Sequence, residues 1–423
     1  MDDYKIVRQK VSENFDGWPE EDLGTPENGC HKDRSCMSQF RPCRLYLELD
    51  CSSVRREERF VAIKIMTGFA SKNYQAGKAD EIGILKKSLS AAESQEKYAA
   101  HIVRYYDNFT YTGPTSVVHN IIVTEPLAHS LQELQNTLPN RAIPLWLCKY
   151  FAKQVLQAIS YLHEACGVVY GDLKSDNILF RPEDVDAVIN QELINDPSCS
   201  YDRPEGKPVY GGTIAFRSQP LPPWTGKGSK EAIGKMTAVL ADFGHSHWSH
   251  QHFQEIIQPF SLRAPEVHMG YGWTTSADIW SFGCLMFEWA TGVWLFEPDL
   301  LPSCSEEEAH LVQMTEALGE KIPMVMIEKS KHKDKYFGAD GNFAHPKAEG
   351  GFAYPTVKES LKLIAPQMSS EDKTSLERFI RKCLASNPKT DRPPLIYSTT
   401  LGSTMPDLTS YLVLNGIQEG IET

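Results

Sequence analysis

Asp172 and Asn177 stand five residues apart in Tyr170-Gly171-Asp172-Leu173-Lys174-Ser175-Asp176-Asn177-Ile178-Leu179, and Asp242-Phe243-Gly244 follows further along the chain. A carboxylate that can take a hydroxyl proton, an amide oxygen and a second carboxylate, in that order, suit phosphoryl transfer. That reaction asks for little covalent chemistry; it needs an oriented hydroxyl and phosphates held with a divalent cation. Asp172 is the candidate base, provided it lies within hydrogen-bond reach of the hydroxyl. Lys174 would neutralise the migrating phosphoryl oxygens. Asn177 and Asp242 are hard oxygen ligands of the kind Mg2+ prefers. An isolated Asp-x-x-x-x-Asn usually means a turn. With Leu173-Lys174 inside it, Ile178-Leu179 beyond and the Asp-Phe-Gly triplet downstream, the better reading is an ATP-dependent kinase.

Upstream, Val61-Ala62-Ile63-Lys64 puts a lysine at the end of a buried strand, where an ammonium is costly unless it meets phosphate or carboxylate. Glu81 is its expected partner, clamping Lys64 so that the charge faces the α- and β-phosphates of ATP. Taken singly, Lys64 would read as a snorkelling surface lysine and Glu81 as a solvated helix charge. Their order ahead of Asp172 and Asp242 favours the clamp.

The elements that must position these groups follow from the hydrophobic pattern. Leu45 to Leu49 and Phe60 to Met66 alternate as strands do, and so does Tyr4 to Val11. Ala79 to Leu89 has Ile82, Leu85 and Leu89 at helical spacing, which predicts a helix packed on that sheet. Trp146, Tyr150, Phe151, Val155, Ile159 and Leu162 predict an amphipathic helix over 145–164 that leads into the Asp172 loop. Pro, Gly, Asp and Ser clusters over 181–236 mark an insertion, with a short helix near 185–193, and Ser370 to Leu384 reads as a late helix.

A chain of 423 residues with 41% hydrophobic content can bury a sizeable core in two lobes. Its formal charge of -12 and pI near 5.6 argue against direct nucleic-acid binding, which needs clustered Lys and Arg. No apolar run approaches the length of a membrane helix, and the ten cysteines lack Cys-x-x-Cys spacing. These features predict an intracellular protein of cytoplasm or nucleus with reduced thiols. Glu306-Glu307-Glu308 reads first as a solvated charge run.

Arg263-Ala264-Pro265-Glu266 and Asp278-Ile279-Trp280-Ser281-Phe282-Gly283 complete a resemblance to eukaryotic-type serine/threonine protein kinases over about residues 4–394. The stretches Ala241 to Trp248, Ile257-Gln258-Pro259 and Thr291 to Phe296 resemble the SR-protein kinases in particular, as a divergent, fungal-like member. The resemblance implies an α+β bilobal fold: a β-rich N-lobe over 1–127 with one main helix, a mostly helical C-lobe over 128–398 and a tail over 399–423. It implies that Val123-Thr124-Glu125-Pro126-Leu127 is the hinge, with main-chain groups of Glu125 and Leu127 on adenine. It further implies that Glu266 pairs with Arg392 and that Asp278 holds the catalytic loop by its backbone. The implied activity is ATP- and magnesium-dependent phosphorylation of protein hydroxyls by a monomer, with Arg/Ser-rich, splicing-type proteins as substrates. An acidic surface suits such a partner.

Two departures stand out. No Gly-x-Gly-x-x-Gly follows the first strand, since Gly17, Gly24 and Gly29 are too widely spaced and 12–42 occupies its place. Either this lobe binds ATP poorly or the segment reflects a mispredicted gene model. The usual His-Arg before the catalytic aspartate is Tyr170-Gly171, which removes the customary partner of an activation-segment phosphate and predicts activity without one. Two rivals follow: a pseudokinase scaffold with impaired nucleotide binding, and a small-molecule kinase of the choline or aminoglycoside type, whose loops share the Gly-Asp-Leu start.

Overall fold

The computed structural model describes residues 45–48, 60–92, 96–112, 116–195, 236–298, 305–344 and 353–385. The expected strand at 4–11, the segment 12–42, Arg392 and the tail 399–423 lie outside them. The described residues form two compact units, one from 45–78, 103–128 and 181–195, the other from 79–102, 129–180 and 236–385. This partition breaks after residue 128 and gives the helix after Asp80 to the second unit and 181–195 to the first.

Along the chain run β1 (Leu45–Glu48), β2 (Phe60–Ile65), α1 (Gly68–Gln75), α2 (Glu81–Ala91), β3 (Tyr105–Thr112), β4 (Val118–Thr124), α3 (Leu131–Thr137), α4 (Leu145–Ser160), β5 (Val168–Val169) and β6 (Ile178–Arg181). Then come α5 (Val185–Asn195), β7 (Thr237–Leu240), β8 (His247–Trp248), α6 (Ser276–Thr291), α7 (Glu306–Leu318), α8 (Val357–Ile364) and α9 (Ser370–Cys383). The architecture is the strand-rich first part and helical second part that the resemblance implies.

The first unit is built on an antiparallel sheet in the order β1-β2-β4-β3. Alternation along β2 buries Val61 and Ile63, which pack with Ile121 and Val123 of β4 and with Ile65, Tyr106, Phe109 and Tyr111. The β2–β4 register sets Ile63 opposite Val123 and Lys64 opposite Ile122. Period two therefore puts Lys64 on the face opposite that core. The first unit also holds α5, where Asp186 Oδ1 accepts from the backbone of Phe60 at 3.3 Å.

In the second unit α6 is buried from Ala277 to Thr291, so it lies inside the unit with helices on its flanks. Helix α9 packs its Leu376, Phe379, Ile380 and Cys383 stripe toward it. The two approach so closely that a Cβ on Gly283 would sit 2.7 Å from Cys383 Cβ. Helix α4 continues into a π-helical turn, Tyr161–Cys166, which ends at Gly167 and delivers β5. The short pairs β5–β8 and β6–β7 bracket the loop that carries Asp172. Cys148, Cys166, Cys284 and Cys383 are buried free thiols. Among the described residues no helix is long and apolar enough to cross a membrane.

Candidate active site

The chain leaves β5 into Tyr170 and Gly171, whose backbone N–H groups donate to Asp278 Oδ2 and Oδ1, both at 2.8 Å. His163 Nε2 lies 2.8 Å from the same Oδ2, so the fully buried carboxylate is satisfied by three partners. The two carbonyls are held as well: Ser246 Oγ donates to Tyr170 O at 2.9 Å, and Gln258 N donates to Gly171 O at 2.8 Å. Every peptide group of the two residues before Asp172 is thus engaged, which fixes the loop without any regular element running through it.

Asp172 follows, 8% exposed. Its Oδ2 accepts from Lys174 Nζ and from Asn177 Nδ2, each at 2.8 Å, and Asn177 Nδ2 also reaches the Asp172 carbonyl at 3.0 Å. The Asn177 amide nitrogen is thereby committed to the loop, and its oxygen is the end left for a ligand. Ala241 N donates to the Asn177 carbonyl at 3.0 Å, which ties the residue before Asp242 to the same loop. Asp242 itself adopts left-handed backbone at φ 56°, and Gly244 N donates to its Oδ1 at 3.3 Å.

Tyr170 binds these parts together. Its hydroxyl donates to the Ala241 carbonyl, and its ring meets Phe243 edge-on at 5.3 Å and 83°. Burial first, then the carboxylates of Asp172, Asp242 and Asp278, push its phenol well above the usual range. It therefore stays a neutral donor at the centre of three carboxylates.

Gln258 is the second organiser. It sits at φ 70°, a conformation costly for a non-glycine residue. Its side chain offsets that cost: Nε2 donates to the Ala277 carbonyl at 2.6 Å and to Ser281 Oγ at 2.8 Å, while Oε1 accepts from Ala264 N at 3.0 Å. Arg263 donates to the Ile257 and Gln258 carbonyls at 3.0 Å each. The segment between Asp242 and Glu266 is thus wired to α6 and to the catalytic loop by neutral groups and one arginine.

The protein kinase domain family matches residues 51–190. The serine/threonine-protein kinase SRPK of Physarum polycephalum is 31% identical over 308 residues, covering 71% of this chain and 69% of that protein. The chain belongs to the SR-protein-kinase-like protein kinases. Protein kinase dsk1 of Schizosaccharomyces pombe is 28% identical over 366 residues, 68% of this chain and 66% of its own length. The dual specificity protein kinase CLK2 of Homo sapiens is 29% identical over 293 residues, and the matched part is 48% of it.

Of the residues singled out in the sequence of this kinase, Asp172, Lys174, Asn177 and Asp242 come together in the second unit. Lys64 lies on β2, and Glu125 and Leu127 just after β4, in the first unit; Glu81 opens α2, buried, in the second. The Glu125 side chain has a structural task that its sequence context did not reveal. Arg181 Nε donates to its Oε2 at 2.7 Å and Arg104 N to its Oε1 at 2.9 Å, so a buried carboxylate pins the backbone just after β4. Asp278 holds the catalytic loop as the resemblance implies. Glu266 is buried and accepts from Ser276 Oγ at 3.3 Å; Arg392 is outside the described residues.

Two expectations need correction. Glu306-Glu307-Glu308 is only partly a solvated run: Glu306 is exposed as expected, but the three residues form the first turn of α7, capped by Ser305, where carboxylates meet the positive end of the helix. Glu308 is only 1% exposed, and Glu307 pairs with Lys335 at 3.6 Å. In α2, Leu89 does not share the buried face with Ile82 and Leu85; it is 52% exposed, and Ile84 and Ser88 are buried instead. That helix is covered partly by the Tyr161–Cys166 turn, which shifts its buried stripe. The organising roles of Tyr170, Ser246 and Gln258 were not read from the sequence, although Tyr170 stands where a histidine was expected and Gln258 lies in one of the resembling stretches.

Proposed function

We propose that this kinase transfers the γ-phosphoryl group of ATP to serine or threonine hydroxyls of proteins, with Arg/Ser-rich proteins as the substrate class. The observation that carries the reading is the Asp172 carboxylate, held at 2.8 Å by both Lys174 and Asn177 on a loop whose own peptides are fully bonded. Both donors fall on Oδ2, which leaves Oδ1 to accept the proton of an incoming hydroxyl. As that oxygen bonds to the γ-phosphorus, the bond to the β–γ bridging oxygen breaks and ADP departs. Lys174 balances charge on the transferred group.

The donor set fits a magnesium ion. An amide oxygen from Asn177 and a carboxylate from Asp242 would be two hard ligands of the kind magnesium prefers. When bound, the cation would neutralise phosphate charge. In this reading Lys64 and Glu81 serve the α- and β-phosphates, and main-chain groups at Glu125 and Leu127 receive adenine. The same reading divides the chain into a kinase N-lobe over 1–127 and a C-lobe over 128–398, acting as a monomer. It carries with it an intracellular setting, cytoplasm or nucleus. Support for the substrate class comes from the relative named SRPK and from the acidic balance of -12, which favours an arginine-rich partner.

The test is incubation of the purified protein with magnesium-ATP and an Arg-Ser peptide, beside a plain basic protein and choline. Label is expected on the Arg-Ser peptide in preference to both others. Asp172→Ala is expected to lower that turnover by about 10²- to 10⁴-fold with unchanged circular dichroism. Undiminished labelling by the variant would remove Asp172 from the mechanism, and label on choline would remove the protein substrate.

A further inference from the structure

Asp80 is the N-cap of α2, and its Oδ1 accepts from Gly83 N at 3.1 Å. That bond accounts for one carboxylate oxygen. The other, Oδ2, accepts from the indole Nε1 of Trp248 at 3.0 Å, across 168 residues of sequence. Trp248 is itself anchored by its backbone. It pairs with Val168 in the β5–β8 ladder, and the next residue, Ser249, donates its N–H to Gly167 O at 2.8 Å. Strand β5 runs straight into Tyr170-Gly171-Asp172. One carboxylate therefore joins the first turn of α2 to the strand pair that delivers the catalytic base. The far end of the helix is tied too, since the Tyr161 hydroxyl donates to the Ser88 carbonyl. These two ties account for α2 grouping with the second unit.

Glu81 follows Asp80 directly and is buried. Whatever fixes Asp80 fixes where Glu81 projects. The tie is a charge-assisted hydrogen bond from a neutral donor six residues beyond Asp242, so it exists without any added phosphate. We propose that Trp248 and Asp80 form a permanent latch that sets α2, and with it Glu81, in register with the catalytic loop, making both positioning residues for phosphoryl transfer. The proposal rests on the role assigned to Glu81 in nucleotide binding.

Trp248→Phe keeps a smaller aromatic ring and removes the N–H; Asp80→Ser keeps a helix cap and removes the reach to the indole. Each is expected to lower kcat/KM for ATP about tenfold, leave KM for the Arg-Ser peptide unchanged and speed hydrogen exchange in α2. The double variant should be no worse than either single, because both changes break one bond. Wild-type ATP kinetics in either folded single variant, multiplying effects in the double, or a peptide KM that rises in step with that for ATP would overturn the latch. Asp80→Ser carries the test should Trp248→Phe fail to fold. Glu81→Gln separates the two levels. If it is impaired while Trp248→Phe is not, only the latch fails; if it keeps wild-type ATP kinetics, the assignment of Glu81 fails and the latch with it.

Discussion

At Gly171 the backbone turns through φ 76°, and a Cβ built there would lie 2.7 Å from the carbonyl oxygen of His245. The arginine that many protein kinases would carry at this point has neither the conformation nor the space. Gly171→Arg combines positive-φ strain with overpacking against backbone, each costing about 1–3 kcal/mol. The variant is expected to unfold at a clearly lower temperature and to lose most turnover; a wild-type melting curve would show that the loop can relax around a side chain. Tyr170 is the compensating choice beside it, filling the histidine position with a ring against Phe243 and a hydroxyl on Ala241. That Asp172, Lys174, Asn177 and Asp242 would be brought together was legible in the sequence, because the order of those functional groups is the one phosphoryl transfer would demand. The tasks of Ser246 and Gln258 were not, because a serine or glutamine, even one inside a resembling stretch, does not show its hydrogen bonds until the fold brings it to a peptide group.

Among the elements, the segment between Asp242 and Glu266 carries a prediction about phosphate dependence. Gln258 and Arg263 hold it through neutral carbonyls, and Gln258 N closes it onto Gly171. None of these bonds waits for a phosphate. Phosphatase-treated protein is therefore expected to keep its full rate on the Arg-Ser peptide, and loss of turnover after treatment would mean that a phosphate completes the segment. Helix α6 makes a pH prediction. Burial pushes the Glu288 carboxyl up to about 7, with Arg141 and Gln135 only partly offsetting it. A folded-state pKa raised above the unfolded value means that the fold bears no penalty below pH ~4.5 and loses stability as pH climbs from there through 7. Glu288→Gln should leave the melting temperature at about pH 4 almost unchanged and raise stability at about pH 8 by up to about 3 kcal/mol. Equal midpoints at pH 8 would place Glu288 in a wetter site than the structure gives it. Helix α4 was readable from period 3.6 at Phe151, Val155 and Ile159, although it buries more than one stripe and leaves Trp146 and Tyr150 half-buried, while α9 does bury a single stripe. Helix α6 offers no such stripe, being buried all round, and only its Asp-Ile-Trp-Ser-Phe-Gly motif marked it. The face of α2 was misread at Leu89 because spacing reports a stripe but not which neighbour covers it.

For the molecule as a whole, the balance of -12 bears on how a substrate arrives rather than on how phosphate moves. An arginine-rich peptide approaching an acidic protein is drawn by long-range attraction that salt screens over about 10 Å at 0.1 M. The catalytic loop is largely insulated from that effect, because Asp172, Asn177 and Asp278 are buried and hydrogen-bonded within the loop and to its backbone, with only Lys174 part-exposed. Attraction and chemistry should therefore separate in a salt titration. Raising ionic strength from about 50 to about 300 mM is expected to increase KM for an Arg-Ser peptide several-fold and leave kcat within a factor of about two. A serine peptide without arginine should show little change in either constant. A KM for the Arg-Ser peptide that ignores salt would mean that recognition is short-range and that the acidic surface has another purpose. A kcat that fell with salt would instead expose the catalytic loop itself to solvent ions, against the closed hydrogen-bonding of Tyr170, Gly171 and Asp172.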